Sequence, residues 1–232
     1  MKDNMNKLKI MLVAVIAITH ASTTVFAGSF GVGVGGHMAS VSASGSETET
    51  ANSGTENSVQ SASAGNNFGF ASIFADYNFG SAEQFTLGVE YIPGEADISN
   101  KTISRTTVTA DAGEANQQDG TYSANAEIKD HTTYYGEFVM GAGIYAKVGF
   151  AQVDIDTKEA FSAGTNGSYG TTKLDAWTYG IGQKGSFGNN GFYKVEGYMT
   201  NYDTFKSTSG TGNTITADLD VVGAALKLGY KF

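Results

Sequence analysis

Apolar and polar positions alternate with a period of two in eight stretches of the chain, near residues 28–40, 68–79, 85–93, 132–140, 144–156, 174–184, 191–203 and 219–232. A strand sends successive side chains to opposite faces, so each stretch predicts a strand with one greasy face. The intervals are as informative as the strands. Residues 41–67, 94–131, 157–173 and 204–218 form long connections, whereas 80–84, 141–143 and 185–190 are short. Long and short connections alternate strictly. This pattern predicts an all-β chain folded as an eight-stranded antiparallel up-and-down transmembrane barrel, with four long outer loops and three short periplasmic turns.

The identity of the apolar face separates a membrane barrel from a water-soluble one. The larger set reads Phe30, Val32, Val34 and Met38; Phe85, Leu87, Val89 and Tyr91; then Tyr134, Phe138 and Met140. It continues with Ala146, Val148 and Phe150; Trp177, Tyr179 and Ile181; and Tyr193, Val195 and Met199. The opposite face carries Gly31, Gly33, Gly35, Gly88, Gly149, Gly180, Gly182 and Gly229 among charged residues. Eight strands leave a bore only wide enough for side chains. The glycine and charge set fits there, so the crowded aromatic set is expected to face lipid. The second strand fits least well, because Phe70 and Phe74 share the inward parity.

Counted upward from the short turns, Asp76, Glu137, Lys147 and Lys194 lie three residues along their strands, and Glu90, Glu196 and Lys227 lie five along. Buried charges are tolerated when paired and hydrogen-bonded. These seven residues are therefore expected to form an interior salt-bridge plug rather than an ion path.

The long intervals are polar and of low complexity. Segment 41–67 is almost devoid of apolar residues, a composition that predicts mobile loops. Alternation in 102–109 and 121–128 suggests that strands continue there as a hairpin. At the start of the chain, Lys2, Lys7 and Lys9 precede the short apolar run 10–18, and Val25-Phe26-Ala27 has the form of a cleavage site. Residues 1–27 are therefore expected to be a cleaved export signal, and 28–232 one barrel domain. Loss of that segment would move the net charge from -9 to -11, an acidic balance that argues against nucleic-acid binding. The 31 glycines, 12 tyrosines, 14 phenylalanines and single proline suit strands and turns. With no cysteine, disulfides and thiolate metal sites are excluded, and no cofactor or metal is expected.

These residues resemble the small outer-membrane barrels of Gram-negative bacteria, the OmpX, OmpA-barrel and opacity-protein group. The resemblance rests on the export signal, the loop–turn alternation, Tyr145-Ala-Lys-Val-Gly-Phe150 and the terminal Leu228-x-Tyr230-x-Phe232. It implies that Leu228, Tyr230 and Phe232 are read by the barrel assembly machinery. It also implies residence in the outer membrane with the loops outside, as a monomer in contact with lipid and with a cell-surface or phage ligand.

Several chemically suggestive patterns have plainer explanations. Gly31-x-Gly33-x-x-Gly36 matches a dinucleotide fingerprint, but nothing after it is helical, and that mechanism needs a helix N-terminus. Asp154-x-Asp156 and Asp218-x-Asp220 lack the further ligands of a calcium loop. His37 and His131 fall near the outer rim, with Ser40 and Ser42 close to the first and Asp130 beside the second. They sit on strands one and four, roughly 15 Å apart around the wall, which reads as too far for one shared site. The sequence therefore favours a non-enzymatic platform displaying acidic loops. A lipid A- or phospholipid-modifying enzyme is the alternative, and a small pore is the third reading.

Overall fold

A computed structural model of the chain describes residues 28–49, 58–80, 83–106, 119–161, 168–209 and 212–232. The expected export signal and the centres of the long connections lie outside the described residues. Nine strands follow one another: β1 (Gly28–Glu49), β2 (Ser58–Phe79), β3 (Phe85–Thr106), β4 (Asp119–Gly141), β5 (Ile144–Phe161), β6 (Ser168–Phe187), β7 (Gly191–Tyr202), β8 (Phe205–Thr208) and β9 (Thr214–Lys231). Neighbours pair antiparallel, and β1 also pairs with β9 from Gly31–Lys231 to Thr48–Thr214, closing the sheet into a barrel. β7 and β8 run along the same neighbour, β9, one after the other. A break at Asp203 and Thr204 divides them, so the barrel has the eight staves that the alternation predicts.

The staves are longer than the sequence suggested. Segment 41–67, expected as a mobile loop, is mostly paired: β1 and β2 stay in register from Gly28–Phe79 to Glu49–Ser58. Likewise β3 and β4 remain paired out to Thr106–Asp119, which includes residues 102–106 and 121–128 of the suggested hairpin, while 107–109 lie outside the described residues. A 22-residue strand at about 3.4 Å per residue and about 40° of tilt rises roughly 57 Å. That is about twice the ~30 Å hydrocarbon thickness of a bilayer.

The two halves of this height face oppositely. In the half nearest the short turns, Val34, Met38, Leu87, Tyr134, Val148, Ile181, Val195, Leu226 and Leu228 are exposed on the outside. This apolar belt needs a lipid environment. In the other half the inward positions become apolar, with Val41, Val153, Ile155, Leu174, Phe205, Leu219 and Val221 packed in one cluster. The outward positions there are Ser40, Ser42, Gln152, Lys173, Asn201, Asp218 and Asp220, all exposed. The strand period is unchanged, and only the chemistry of its two faces has swapped. The low-complexity composition hid this core, because the few apolar residues of each upper stave gather only once the staves close.

Around the wall, one ladder is short. Among the described residues, β2 and β3 pair only from Phe79–Phe85 to Ile73–Tyr91, although each continues far beyond on its other neighbour. Pro93, the chain's single proline, follows directly and has no N–H to donate. Gly94, at a φ of 104° that favours glycine, lies in a bulge against β4 between Ile92 and Glu95. Together they turn β3 away from β2.

The inversion is testable. Leu226→Arg, on the belt near its mid-height, is expected to cost about 2–4 kcal/mol. Ser42→Arg, outward but above the belt, is expected to stay within about 0.5 kcal/mol of the parent. Urea unfolding in lipid vesicles measures both, and equal costs would place the membrane boundary elsewhere.

Candidate functional site in the barrel lumen

The bore is filled by a stack of side chains, and glycines make room for it. Five inward aromatics each lie over the glycine directly opposite on the next stave: Phe74 over Gly33, Tyr135 over Gly88, Tyr145 over Gly182, Phe192 over Gly229 and Tyr198 over Gly223. Any side chain at those glycines would occupy the space of the ring. The inward face is thus a second aromatic set, which the sequence reading left unplaced apart from Phe74.

All seven interior charges of the sequence reading are buried in this stack, and the structure joins them in two groups. Nearer the short turns, Lys194 donates to Asp76 at 2.7 Å and to Glu137 at 2.8 Å. Tyr135 also donates its hydroxyl to Asp76. Above, Lys227 meets Glu90 at 2.6 Å and Lys147 meets Glu196 at 2.9 Å. Longer contacts of 3.5 Å between Lys147 and Glu90 and 3.7 Å between Lys227 and Glu196 complete the four-residue ring. Tyr145 donates to Glu196 at 3.0 Å. Counting from the turns put Lys147 with the lower group. The tilt of the staves shifts neighbouring registers relative to one another and carries it to the upper one.

Below these groups, Lys184 reaches Asn78 and Thr86 at 3.4 and 3.3 Å. At the short-turn end, Glu83 accepts from Ser29 at 2.6 Å and from Lys231. Burial pushes the Glu83 pKa up, but the bonds from Lys231 and Ser29 together outweigh it, so the group titrates below its ordinary 4.5.

The upper ring supports a histidine. His37 Nε2 lies 2.9 Å from Ser72 Oγ and 3.1 Å from Glu90 Oε1, and Ser72 donates to the same Glu90 oxygen at 2.7 Å. Ser72 was not singled out by sequence, and only the β1–β2 register brings it to His37. Ser40 and Ser42 point outward, so the neighbours in sequence do not meet this ring. The group is also not a hydrolase relay, which needs the acid on the imidazole nitrogen that does not face the serine. Here both partners share Nε2.

His131 corrects the expected separation. Both His37 and His131 line one cavity of about 90 Å³ between the charge ring and the apolar core, together with Tyr198 and Tyr202. Distance around the wall overstated their separation, because inward side chains of a narrow barrel meet across the bore. Asp130, beside His131, instead accepts from Tyr91 at 3.0 Å. The paired aspartates of the upper wall face strand neighbours: Asp154 meets Lys173 at 3.3 Å, Asp156 accepts from Thr171 at 3.0 Å, and Asp218 and Asp220 accept from Thr204 and Asn201 at 2.8 and 2.7 Å. Leu228, Tyr230 and Phe232 stand outward on or beside β9, and the Tyr230 and Phe232 rings are 5.2 Å apart.

No family model and no curated protein matches the chain. Solved structures that resemble it are outer-membrane β-barrels, the group the sequence resembles. The outer membrane protease OmpT of Escherichia coli aligns at 11% identity over 91% of this chain and 99% of its own, with a TM-score of 0.47. The outer membrane protein OprG of Pseudomonas aeruginosa aligns at 12% identity over 89% and 97%, with a TM-score of 0.40. The attachment invasion locus protein Ail of Yersinia pestis aligns at 10% identity over 85% and 99%, with a TM-score of 0.38.

Two outcomes follow from the charges. Lys194→Met leaves Asp76 and Glu137 buried without their cation and is expected to cost about 3–5 kcal/mol. Adding Asp76→Asn and Glu137→Gln should recover most of that loss in the same urea titration. At the barrel end, Glu83 has a depressed folded pKa, so its contribution is present above the unfolded value near 4.5 and disappears as pH falls through the folded value. The urea midpoint of the parent should therefore drop more steeply than that of Glu83→Gln between about pH 5 and about pH 3.

Proposed function

We propose that the chain is a monomeric outer-membrane barrel of a Gram-negative cell, plugged by its charge network, whose protruding wall makes contacts at the cell surface. The observation that carries this reading is the swap of faces part-way up the staves. Exposed Met38 and Leu226 give way to exposed Ser42, Asp218 and Asp220, while buried Glu90 and Lys227 give way to buried Val41 and Val221. A wall with its own apolar core stands free of the membrane as a stiff, polar cylinder rather than as loose loops. Such a cylinder suits recognition, because little ordering entropy opposes contact with a cell-surface or phage partner.

The plug reading is supported by the pairing in the lumen: every one of the seven charges has an opposite charge within 3.5 Å. Closed β-barrels leave no free edge for strand addition, which supports a monomer. On this reading Leu228, Tyr230 and Phe232 present the outward side chains that the assembly machinery reads.

The chain's lack of cysteine allows a direct test. Thr55→Cys, between β1 and β2, is expected to react with a membrane-impermeant maleimide on intact cells. Asn189→Cys, in the turn between β6 and β7, should react only after permeabilisation. The reverse pattern would invert the orientation. Purified protein should give no conductance steps in a planar bilayer, and steady steps would refute the plug.

A further inference from the structure

We propose that the cavity between the charge ring and the apolar core binds a small neutral molecule with an apolar body and one hydroxyl group, entering through the gap between β2 and β3. Three observations converge on this site. The first is unmet hydrogen bonding. His37 Nδ1, His131 Nδ1 and the Tyr198 hydroxyl are buried without a partner, and all three residues line the same cavity. Such groups are costly when left unsatisfied, and three around one space mark a place for a polar guest.

The second observation is the chemistry of the lining. Phe68, Phe70, Ile92 and Pro93 form the mouth side, and the Phe70 ring stacks on His37 with centroids 4.6 Å apart. On the floor, Glu90, Glu196 and Lys147 are already paired with one another and with Lys227. Lys129 at the rim is engaged by Glu95, Glu127 and Asp156 at 3.0–3.4 Å. An ion would find no free countercharge, whereas a neutral guest needs none. His37 Nε2 faces a carboxylate, which only accepts, so Nε2 is assigned the proton, and in that tautomer Nδ1 is an acceptor. Tyr198 can donate. A hydroxyl both donates and accepts, which matches that pair.

The third observation is the route. The β2–β3 ladder ends at Ile73–Tyr91, while the lipid belt on β1 continues to Met38, whose partner on β2 is Gly69. Four residues of β2 therefore lack a partner on β3 at belt height. Pro93 and Gly94 keep β3 turned away there. The gap faces lipid, so a membrane-dissolved guest reaches the cavity without crossing the plug. A water needs roughly 10–15 Å³ measured in the same way, so a cavity of about 90 Å³ holds a guest of roughly six to nine non-hydrogen atoms.

The probe is 4-fluorophenol, compared with fluorobenzene, which has the ring but not the hydroxyl. Fluorine NMR titrations use the full barrel in lipid nanodiscs, with empty nanodiscs subtracted. The expected result is saturable binding of 4-fluorophenol, roughly tenfold or more tighter than fluorobenzene. Tyr198→Phe and His37→Phe together should reduce that preference to about onefold, and Tyr198→Phe alone, which keeps the ring, should reduce it at least threefold. Equal affinity for the two compounds, no saturation beyond empty nanodiscs, or an undiminished preference in Tyr198→Phe would overturn the site. Heat-modifiable migration of each sample separates the two readings. A sample that does not insert contradicts the barrel assignment, whereas an inserted barrel without the hydroxyl preference contradicts only this site.

Discussion

The narrow bore governs the rest of this structure. With eight staves, every inward side chain meets others across the lumen, so neither size nor charge is free to vary. Size is settled by the glycines under Phe74, Tyr135, Tyr145, Phe192 and Tyr198. Charge is settled by pairing, because an ion removed from water without a partner costs more than the fold can absorb. Lys194 illustrates both demands: it holds Asp76 and Glu137 while lying within 5.6–5.9 Å of the Phe74, Tyr145 and Phe192 ring centres.

The same period-two strand serves two solvents. Near the short turns, lipid lies outside and the polar groups turn inward. Further along, water lies outside and the apolar groups turn inward. No change in backbone pattern is needed, and each stave simply exchanges which parity is greasy. The exchange makes the protruding half a water-soluble barrel continuous with the membrane half, and its core gives the surface a fixed shape.

Where the two regimes meet, neither rule is fully satisfied. The charge ring ends at Glu90 and the apolar cluster begins at Ala39, and between them lie His37, His131 and Tyr198 with unmet hydrogen-bonding atoms. The ladder beside them also lapses, at Pro93. Strain and unmet polarity concentrate at functional positions when the surroundings are otherwise well satisfied. That contrast is why this level stands out from the rest of the lumen.

The sequence by itself determined the strand count, the alternation of long and short connections, the inward placement of Asp76, Glu90, Glu137, Lys147, Lys194, Glu196 and Lys227, and the lipid-facing set except for Tyr91, which is buried and donates its hydroxyl to Asp130. These follow from period two and bore width, both local or generic quantities. It could not pair those charges, because register and tilt decide which inward residues share a level, as Lys147 demonstrates. It also missed the upper core, since Val41, Ile155, Leu174 and Phe205 are sparse along the chain and gather only when the sheet closes. His37 and His131 seemed far apart because sequence measures distance along the wall. Only closure supplies the shorter path across the lumen, and with it Ser72, Tyr198 and the cavity they share.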